Sequence, residues 1–274
     1  MIQKIYIPND PKLRQIVNFM SYVEITPEDA IEGWTAMFPN ATSNLFISLS
    51  DKIAVDHTTT DSAIYVSCSR TTAFKPFIGF AFIAVQFNSY GMFYLKGIPV
   101  KELHNSLVSL AVFFKPSEIE RITSRLKESA SIYEKFTLLE TFLSQQMYSS
   151  TIDDRLPFAI ASLKSLKIER VEALSEALCL SSRAVHKLFH KHVGLNPVQY
   201  KRICRFNQAA QLMLQDNPLN LTSIAMDCGY HDQSHFIRDF RKFSGISPSD
   251  FMRLKATSSD FYNFNLKDLG ILQQ

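Results

Sequence analysis

The sequence has few cysteines and no long hydrophobic run, and these absences exclude several classes of protein. The four cysteines among 274 residues lie at no spacing typical of a metal site, so we expect reduced thiols and no disulfide framework. The longest apolar run, residues 77–87, is too short for a transmembrane helix, which needs roughly 20 residues. Residues 1–10 lack the layout of a signal peptide, and the expected location is therefore the cytoplasm, with no membrane contact.

Histidine is also scarce in the first 150 residues, where a metalloenzyme would need it. Of the seven histidines, only His57 and His104 precede residue 150. A metal centre in a β-rich domain needs several imidazoles and carboxylates that converge. Cys68 has no activating partner nearby in the sequence and is expected to be a buried, inert thiol. We therefore predict no catalytic residue, no metal and no cofactor.

The charges are unevenly distributed along the chain. Charged residues make up only 20% of the sequence, and the formal net charge is +3. Residues 157–255 contain 14 Lys and Arg against 8 Asp and Glu, whereas the remainder of the chain contains 15 against 18. An excess of positive charge in the C-terminal region is typical of a protein that binds a polyanion. Solvent-exposed helix faces can give a similar excess of charge.

The C-terminal region contains two helical segments of the same design. In the later one, apolar residues at helical spacing predict a helix over Thr222–Cys228, a turn at residues 229–232 and a helix over Gln233–Ser244. Asp232 is placed to cap the second helix. Two short helices that cross at a tight turn are typical of the helix-turn-helix motif, whose second helix enters the major groove of DNA.

The earlier segment repeats this pattern, with a turn at Cys179–Ser181 and Ser181 as the helix cap. The residues expected to be buried in this unit are Leu174, Ala177, Leu178, Val185, Leu188 and Phe189. A long helix over Pro197–Gln215 then connects the two units. This connector is expected to direct Tyr200, Ile203, Phe206, Ala210 and Met213 toward a core, and Lys201, Arg202 and Arg205 toward solvent or phosphate.

These segments resemble the DNA-binding region of the AraC/XylS family of bacterial transcription regulators over roughly 85 to 90 residues. The matching residues of the first unit and connector are Ser181, Arg183, Leu188, Phe189, Gly194, Asn196, Pro197, Tyr200, Arg205, Ala209 and Leu212. Those of the second unit are Ile224, Ala225, Cys228, Gly229, Tyr230, Ser234, Phe236, Phe240, Arg241, Lys242, Gly245, Ser247, Pro248, Asp250 and Phe251. Cys179 departs from the glycine usual in the family, and a type I turn would accommodate it.

The resemblance implies a transcription regulator that is not an enzyme and that binds double-stranded promoter DNA, with RNA polymerase as a further partner. The positions that correspond to base-reading residues are Arg183, His186, Lys187, Gln233, Ser234, His235 and Arg238. The expected phosphate contacts are Ser181, Lys201, Arg202, Asp232, Arg241 and Lys242. For each of these polar residues, simple solvent exposure is the alternative interpretation.

The N-terminal half has the composition of a β-rich domain, and the whole chain is predicted to be an α+β multidomain protein. The predicted strands lie within residues 4–8, 44–49, 52–57, 62–68, 77–87 and 91–100. An antiparallel barrel or sandwich is expected. Residues 82–110 resemble, more loosely, the cupin-like sensory domains found ahead of this DNA-binding module, including a short helix over Val100–Leu103.

The predicted organisation is a β-rich domain over residues 1–150, a linker over 151–157, a DNA-binding domain over 158–255 and a tail over 256–274. A helix pair within residues 117–147 ends the first domain, with Ser117 and Glu120 as a capping box and a break at Lys127–Ser131. Its apolar faces pack against the β-rich domain, against the DNA-binding domain, or against a second subunit in a homodimer.

The role of the N-terminal half stays open between three interpretations. It senses a small-molecule effector, it serves as an oligomerisation or partner-binding module without a ligand, or it is a cupin-type metalloenzyme. The shortage of histidine disfavours the third. The aromatic residues suggested for an effector pocket, which are alternatively plain core, are Trp34, Phe74, Phe80 and Phe82.

Overall fold

The computed structural model describes residues 2–26, 35–55, 58–67, 69–75, 78–148, 151–168, 170–215 and 220–257. In this part of the chain the N-terminal half is rich in strands, which are β1 (Ile2–Tyr6), β2 (Val17–Glu24), β3 (Thr35–Met37), β4 (Ser43–Ser48), β5 (Ile53–Val55), β6 (Thr58–Thr60), β7 (Ser62–Val66), β8 (Thr72–Lys75), β9 (Ala81–Phe87) and β10 (Ser106–Ser109). The helices are α1 (Pro11–Arg14), α2 (Gly91–Lys96), α3 (Pro116–Glu128), α4 (Ile132–Gln146), α5 (Arg155–Lys164), α6 (Val171–Ala177), α7 (Ser182–His192), α8 (Pro197–Met213), α9 (Leu221–Asp227), α10 (Gln233–Ser244) and α11 (Pro248–Thr257). None of the described helices has the length and apolarity needed to cross a membrane.

The strands form two antiparallel sheets, which confirms the mixed α and β class. The larger sheet has the order β1-β2-β9-β4-β7-β10, and the smaller one has the order β3-β8-β5-β6. Alternate residues of the larger sheet, such as Leu45, Ile64 and Val85, are fully buried in one core together with residues of α2, α3 and α4. A smaller cluster around Val55 and Phe80 joins the opposite face of this sheet to the smaller sheet. Most of the apolar core of the N-terminal half thus lies between the larger sheet and the helices. The cupin-like barrel stays a prediction.

Residues 91–96 were expected in a strand but form helix α2, and that prediction is wrong. The segment GMFYLK is buried from Gly91 to Leu95. A short, continuously apolar run is compatible with either a buried strand or a buried helix, so its pattern alone could not decide. A Cβ at Gly91 would overlap the carbonyl oxygen of Ile16, so the helix starts where the two backbones touch. Gly97, at φ 72°, ends it. The short helix Val100–Leu103 is confirmed, as a 3-10 helix.

Helices α3 and α4 form the predicted pair, and the break between them falls where it was expected. The predicted capping box of Ser117 and Glu120 is wrong. The cap is Lys115, whose backbone N–H donates to the Glu118 carboxylate at 3.3 Å, because Pro116 suits the first turn of a helix. Helix α5 begins at Arg155, inside the segment predicted as a linker, and residues 258–274 of the predicted tail lie outside the described residues.

Helices α5 to α11 enclose a second core. The connector α8 buries Tyr200, Ile203, Phe206, Ala210 and Met213, as its helical spacing predicted. Two residues of the first unit depart from expectation. Ala177 is exposed, and Leu188 is only partly buried and packs against the core of the N-terminal half. The sequence pattern could not reveal this second packing surface, since it shows which residues are apolar but not which core receives them.

The two helix-turn-helix turns have the same backbone geometry. Cys179 N–H donates to Glu176 O at 3.0 Å, and Gly229 N–H donates to Met226 O at 2.9 Å. Gly229 has φ 70°, and Cys179 has φ 51°. The expectation that a type I turn would accommodate Cys179 is therefore wrong, because this position requires the left-handed conformation that side chains disfavour.

We predict that Cys179→Gly stabilises the protein. Relief of the left-handed strain is worth about 1–2 kcal/mol, and the greater freedom of glycine in the unfolded chain offsets about 0.4–1 kcal/mol of this. The net gain should be about 0.5–1 kcal/mol, measured as a higher urea midpoint of the full chain. Cys179→Ala retains the strain and is the matched control, with an expected midpoint close to that of the wild type. Equal midpoints for all three proteins would contradict the argument.

Candidate nucleic-acid interface

Helix α7 is the second helix of the first unit. Ser181 caps it, since its Oγ accepts from the backbone N–H of Ala184 at 3.2 Å. Val185 and Phe189 are fully buried in the C-terminal core. The three residues predicted to read bases lie on the other side of the helix: Arg183 and Lys187 are exposed, and His186 is partly exposed. The structure therefore leaves this face of α7 accessible.

Helix α10 is the second helix of the second unit and has the same construction. Asp232 caps it, since its Oδ1 accepts from the backbone N–H of His235 at 2.7 Å. Its core side is formed by Phe236 and Phe240, which are fully buried, and by the buried Phe243. Of the predicted base readers, Gln233, Ser234 and Arg238 are exposed, whereas His235 is partly buried with its ring 5.3 Å from that of Tyr230.

The connector α8 fixes the second unit through both aromatic and ionic contacts. Asn196 and Gln199 form a capping box at its start, with Asn196 Oδ1 accepting from Gln199 N–H at 2.8 Å. The ring of Phe206 lies 5.0 Å from the ring of Phe240. Arg202 Nε donates to Asp239 Oδ2 at 3.0 Å, and Nη2 donates to Oδ1. This pairing raises the pKa of the Arg202 guanidinium.

Asp239 is a functional candidate that sequence reasoning did not identify. It is 5% exposed and is the only acidic residue of α10. Its Oδ2 also lies 3.9 Å from Nε2 of His235, one turn earlier in the helix. An acidic residue within an otherwise basic helix, four residues after a histidine, was the available signal. Asp239 thus joins the connector to the side of α10 that carries a predicted base reader.

Among the predicted phosphate contacts, Lys201 does not lie where it was expected. Lys201 is only 8% exposed, because α8 packs against α5 as well as against α7, α9 and α10. The expectation that Lys201 is available to solvent is therefore wrong. Arg202 is partly exposed and is held by Asp239, and Asp232 and Ser181 serve as helix caps. Arg241 and Lys242 are exposed in the last turn of α10.

The far end of α7 is docked against the N-terminal half. His192 is 7% exposed, and its ring centroid lies 4.3 Å from that of Phe93 and 5.7 Å from that of Tyr94 in α2. Its Nδ1 lies 2.9 Å from the carbonyl oxygen of Leu188. Burial lowers the pKa of His192. The end of α7 therefore packs against two aromatic rings of α2 in the other half of the chain.

Hydrogen bonds support the same interface at further points. Ser67 Oγ donates to the backbone carbonyl of Val193 at 2.7 Å, and the hydroxyls of Ser89 and Tyr200 are 3.0 Å apart. Thr71 Oγ1 donates to the carbonyl oxygen of Phe243. These contacts reach α7, α8 and α10, so both units touch the N-terminal half.

The residues suggested for an effector pocket are only partly described. Phe80 is fully buried and stacks on the partly buried Phe82 at 5.2 Å. Trp34 and the side chain of Phe74 lie outside the described residues. The described part of the chain contains no cluster of three or more His, Cys, Asp or Glu that could hold a metal. His57 and Cys68 lie outside it as well. His104 Nε2 lies 2.8 Å from Ser69 Oγ, and burial lowers the pKa of this histidine.

Comparison with known proteins identifies the C-terminal domain. Residues 174–254 match the family model described as a helix-turn-helix domain. The transcriptional activator RhaS of Escherichia fergusonii is 35% identical over 100 residues, which are 36% of this chain and 36% of RhaS. The C-terminal domain is therefore a helix-turn-helix domain similar to those of AraC/XylS-family regulators.

Other known proteins are similar to this chain over different lengths. The porin thermoregulatory protein EnvY of Escherichia coli is 28% identical over 124 residues, which cover 43% of this chain and 48% of EnvY. The chain thus matches less than half the length of these curated relatives. The structure of ToxT from Vibrio cholerae aligns with 92% of this chain and 98% of its own, at 12% identity and a TM-score of 0.47.

We predict that Asp239→Ala destabilises the protein. The substitution removes the charged hydrogen-bond partner of the partly buried Arg202, which should cost about 1.5–3 kcal/mol. The free energy of unfolding in urea should fall by about this amount. Asp227→Ala removes an exposed carboxylate in the same unit and should change it by no more than about 0.5 kcal/mol. Similar losses in the two variants would show that the Arg202 pair contributes nothing specific.

We also predict that acid weakens the fold through His192. Because burial lowers its pKa in the folded state, the unfolded chain binds a proton that the folded chain does not as the pH falls below about 6.5. The free energy of unfolding should therefore decrease from pH 7.5 to pH 5.5. The charge of Asp153 opposes this shift in pKa and that of Lys191 adds to it.

In His192→Phe the ring packing is kept and the titration is removed. The melting temperature of this variant should fall less between these two pH values than that of the wild type. His104 and His190, whose pKa values are also lowered by burial, supply the remaining dependence. Parallel losses in variant and wild type would exclude His192 as a source.

Proposed function

We propose that this protein is a sequence-specific transcription regulator that binds promoter DNA through α7 and α10. The observation that carries the proposal is the pair of capped second helices, each with a polar outer face accessible and an apolar inner face buried. A rigid connector between them would let one chain address two successive faces of the major groove, roughly 34 Å apart.

The side chains on these faces have the chemistry that base reading requires. Arg183, Lys187 and Arg238 can donate to O6 and N7 of guanine, and Gln233 can form two hydrogen bonds with adenine. His186, Ser234 and His235 can serve as either donor or acceptor. The buried Asp239 favours a fixed position for His235, because it lies on the next turn and is itself held by Arg202.

The phosphate contacts are proposed from the residues that remain exposed. Arg241 and Lys242 occupy the last turn of α10, and the hydroxyl of Ser181 lies at the start of α7. Lys201 is left out because it is buried, and Asp232 because its carboxylate would repel phosphate. Arg202 is assigned to the ion pair with Asp239. A regulator of this kind acts on promoters beside RNA polymerase, in the cytoplasm.

For the N-terminal half we propose the sensing of an effector that alters how the two halves pack. Support comes from the packing of α2 against the end of α7. Because of this contact, a conformational change in the N-terminal half would act directly on α7, which we propose to be a recognition helix. Such an effector must bind the two packing states with different affinity.

A second candidate role for this half is self-association without a ligand. Strand β1 is an edge strand of the larger sheet, and Ile2, Ile5 and Ile7 are 41%, 45% and 47% exposed. An exposed apolar edge is a template for pairing with another chain. Sedimentation of the wild type beside Ile5→Lys would separate the two roles, because a β1 dimer should dissociate in the variant.

We predict that Arg183→Ala and Arg238→Ala weaken binding to the genuine operator. Each loss should be about 1–3 kcal/mol, because a specific donor to a base edge is removed. Fluorescence anisotropy over a salt series, with the operator and a shuffled duplex, measures this loss. Arg121→Ala, on α3 of the N-terminal half, is the control and should bind both duplexes as the wild type does. Equal losses on the operator and the shuffled duplex would make the two arginines phosphate contacts.

A further inference from the structure

Helix α7 carries a continuous row of basic side chains that runs past the predicted base readers. Arg183, His186 and His190 follow one another at spacings of three and four residues, and the helix contains no acidic residue. The ring centroids of His186 and His190 are 6.4 Å apart, so both rings lie on the same side. The row therefore leads from the start of the helix toward the end that is docked on the N-terminal half.

The N-terminal half meets the end of this row in close backbone contact. Gly194 follows α7 at φ 82°, and a Cβ there would lie 2.9 Å from Cγ1 and 3.2 Å from the carbonyl oxygen of Val100. Val100 is 1% exposed and begins the 3-10 helix Val100–Leu103. This short helix is therefore held in a fixed position beside the recognition helix.

Lys101, the next residue, is exposed and extends the row across the boundary between the two halves. The pKa of His190 is lowered by burial first, and then by the positive charges of Lys101 and His186. The neighbouring acid, Glu102, is also exposed but is not among the charges that act on His190. Within the described residues, Nδ1 of His190 has no hydrogen-bond partner. The short helix that carries Lys101 packs against α7, so Lys101 lies near the outer face of α7 at its far end.

The dimensions of the helix suit a backbone contact at this end. Between Arg183 and His190 an α-helix rises about 10 Å, which compares with a major groove about 12 Å wide. When residues near the start of a recognition helix reach the bases, its far end lies close to the phosphates that border the groove.

We propose that Lys101 of the N-terminal half contacts the phosphate backbone of DNA beside the bases read by α7. The contact rests on the proposed DNA-binding function and adds to it a part of the chain outside the helix-turn-helix domain. It would contribute affinity on every DNA sequence and no discrimination between bases, because a lysine binds phosphate as a point charge. DNA binding would then also favour the docked arrangement of the two halves.

The test compares the full-length wild type with Lys101→Ala, Lys101→Arg and Lys127→Ala. Lys127 is an exposed lysine on α3 of the same half and serves as the matched control. Anisotropy is measured on a duplex selected by the wild type from a random pool and on a shuffled duplex, between 50 and 200 mM salt. Melting temperatures show that the variants are folded.

The expected result is a loss of about two- to fivefold for Lys101→Ala on both duplexes, with the slope of log affinity against log salt smaller by about 0.9. Lys101→Arg should keep the wild-type slope, and Lys127→Ala should match the wild type. An unchanged slope in Lys101→Ala would overturn the inference, and so would a loss confined to the selected duplex. If the wild type selects no duplex and Arg183→Ala has no effect, the proposed function itself fails.

Discussion

The geometry of the C-terminal half depends on the burial of one helix, α8, on several sides at once. Because α5, α7, α9 and α10 all pack against it, the two helix-turn-helix units share a single core. The tilted ring contact between Phe206 and Phe240 and the Arg202–Asp239 pair fix the rotation of α10 about its own axis. A base-reading face is useful only if its direction is fixed, and α8 supplies that constraint. The burial of Lys201 is a direct result of the same packing.

The sequence predicted the C-terminal half well because its local signals and its packing agree. Caps at Ser181, Asn196 and Asp232 mark helix starts, and apolar spacing marks inner faces. What the pattern could not show was contact with a second body. Leu188 and His192 lie on a helix of the C-terminal domain but pack against the N-terminal core and α2. Periodicity assigns a residue to a face of its helix and says nothing about which neighbour covers that face.

The N-terminal half was harder to predict for a related reason. In α2 every residue from Gly91 to Leu95 is buried, so no polar position marks the period. Strand β2 was missed because it too is buried along nearly its whole length. The candidate base readers, by contrast, were named from a family resemblance, and the structure leaves most of them exposed. Asp239 escaped notice because its importance comes from a contact with Arg202, which is distant in sequence.

The turn at Cys179 makes the two helix-turn-helix units unequal. Cys179 in the first unit is strained at φ 51°, whereas Gly229 adopts the equivalent conformation in the second unit without strain. In addition, part of the apolar surface of α7 packs against the N-terminal core. Local opening in proteins starts at the segments with the smallest free-energy cost. The first unit should therefore be the earlier foldon to open whenever the halves separate. Release of the N-terminal half would then loosen helix α7 before helix α10, so the two units would lose their order one after the other.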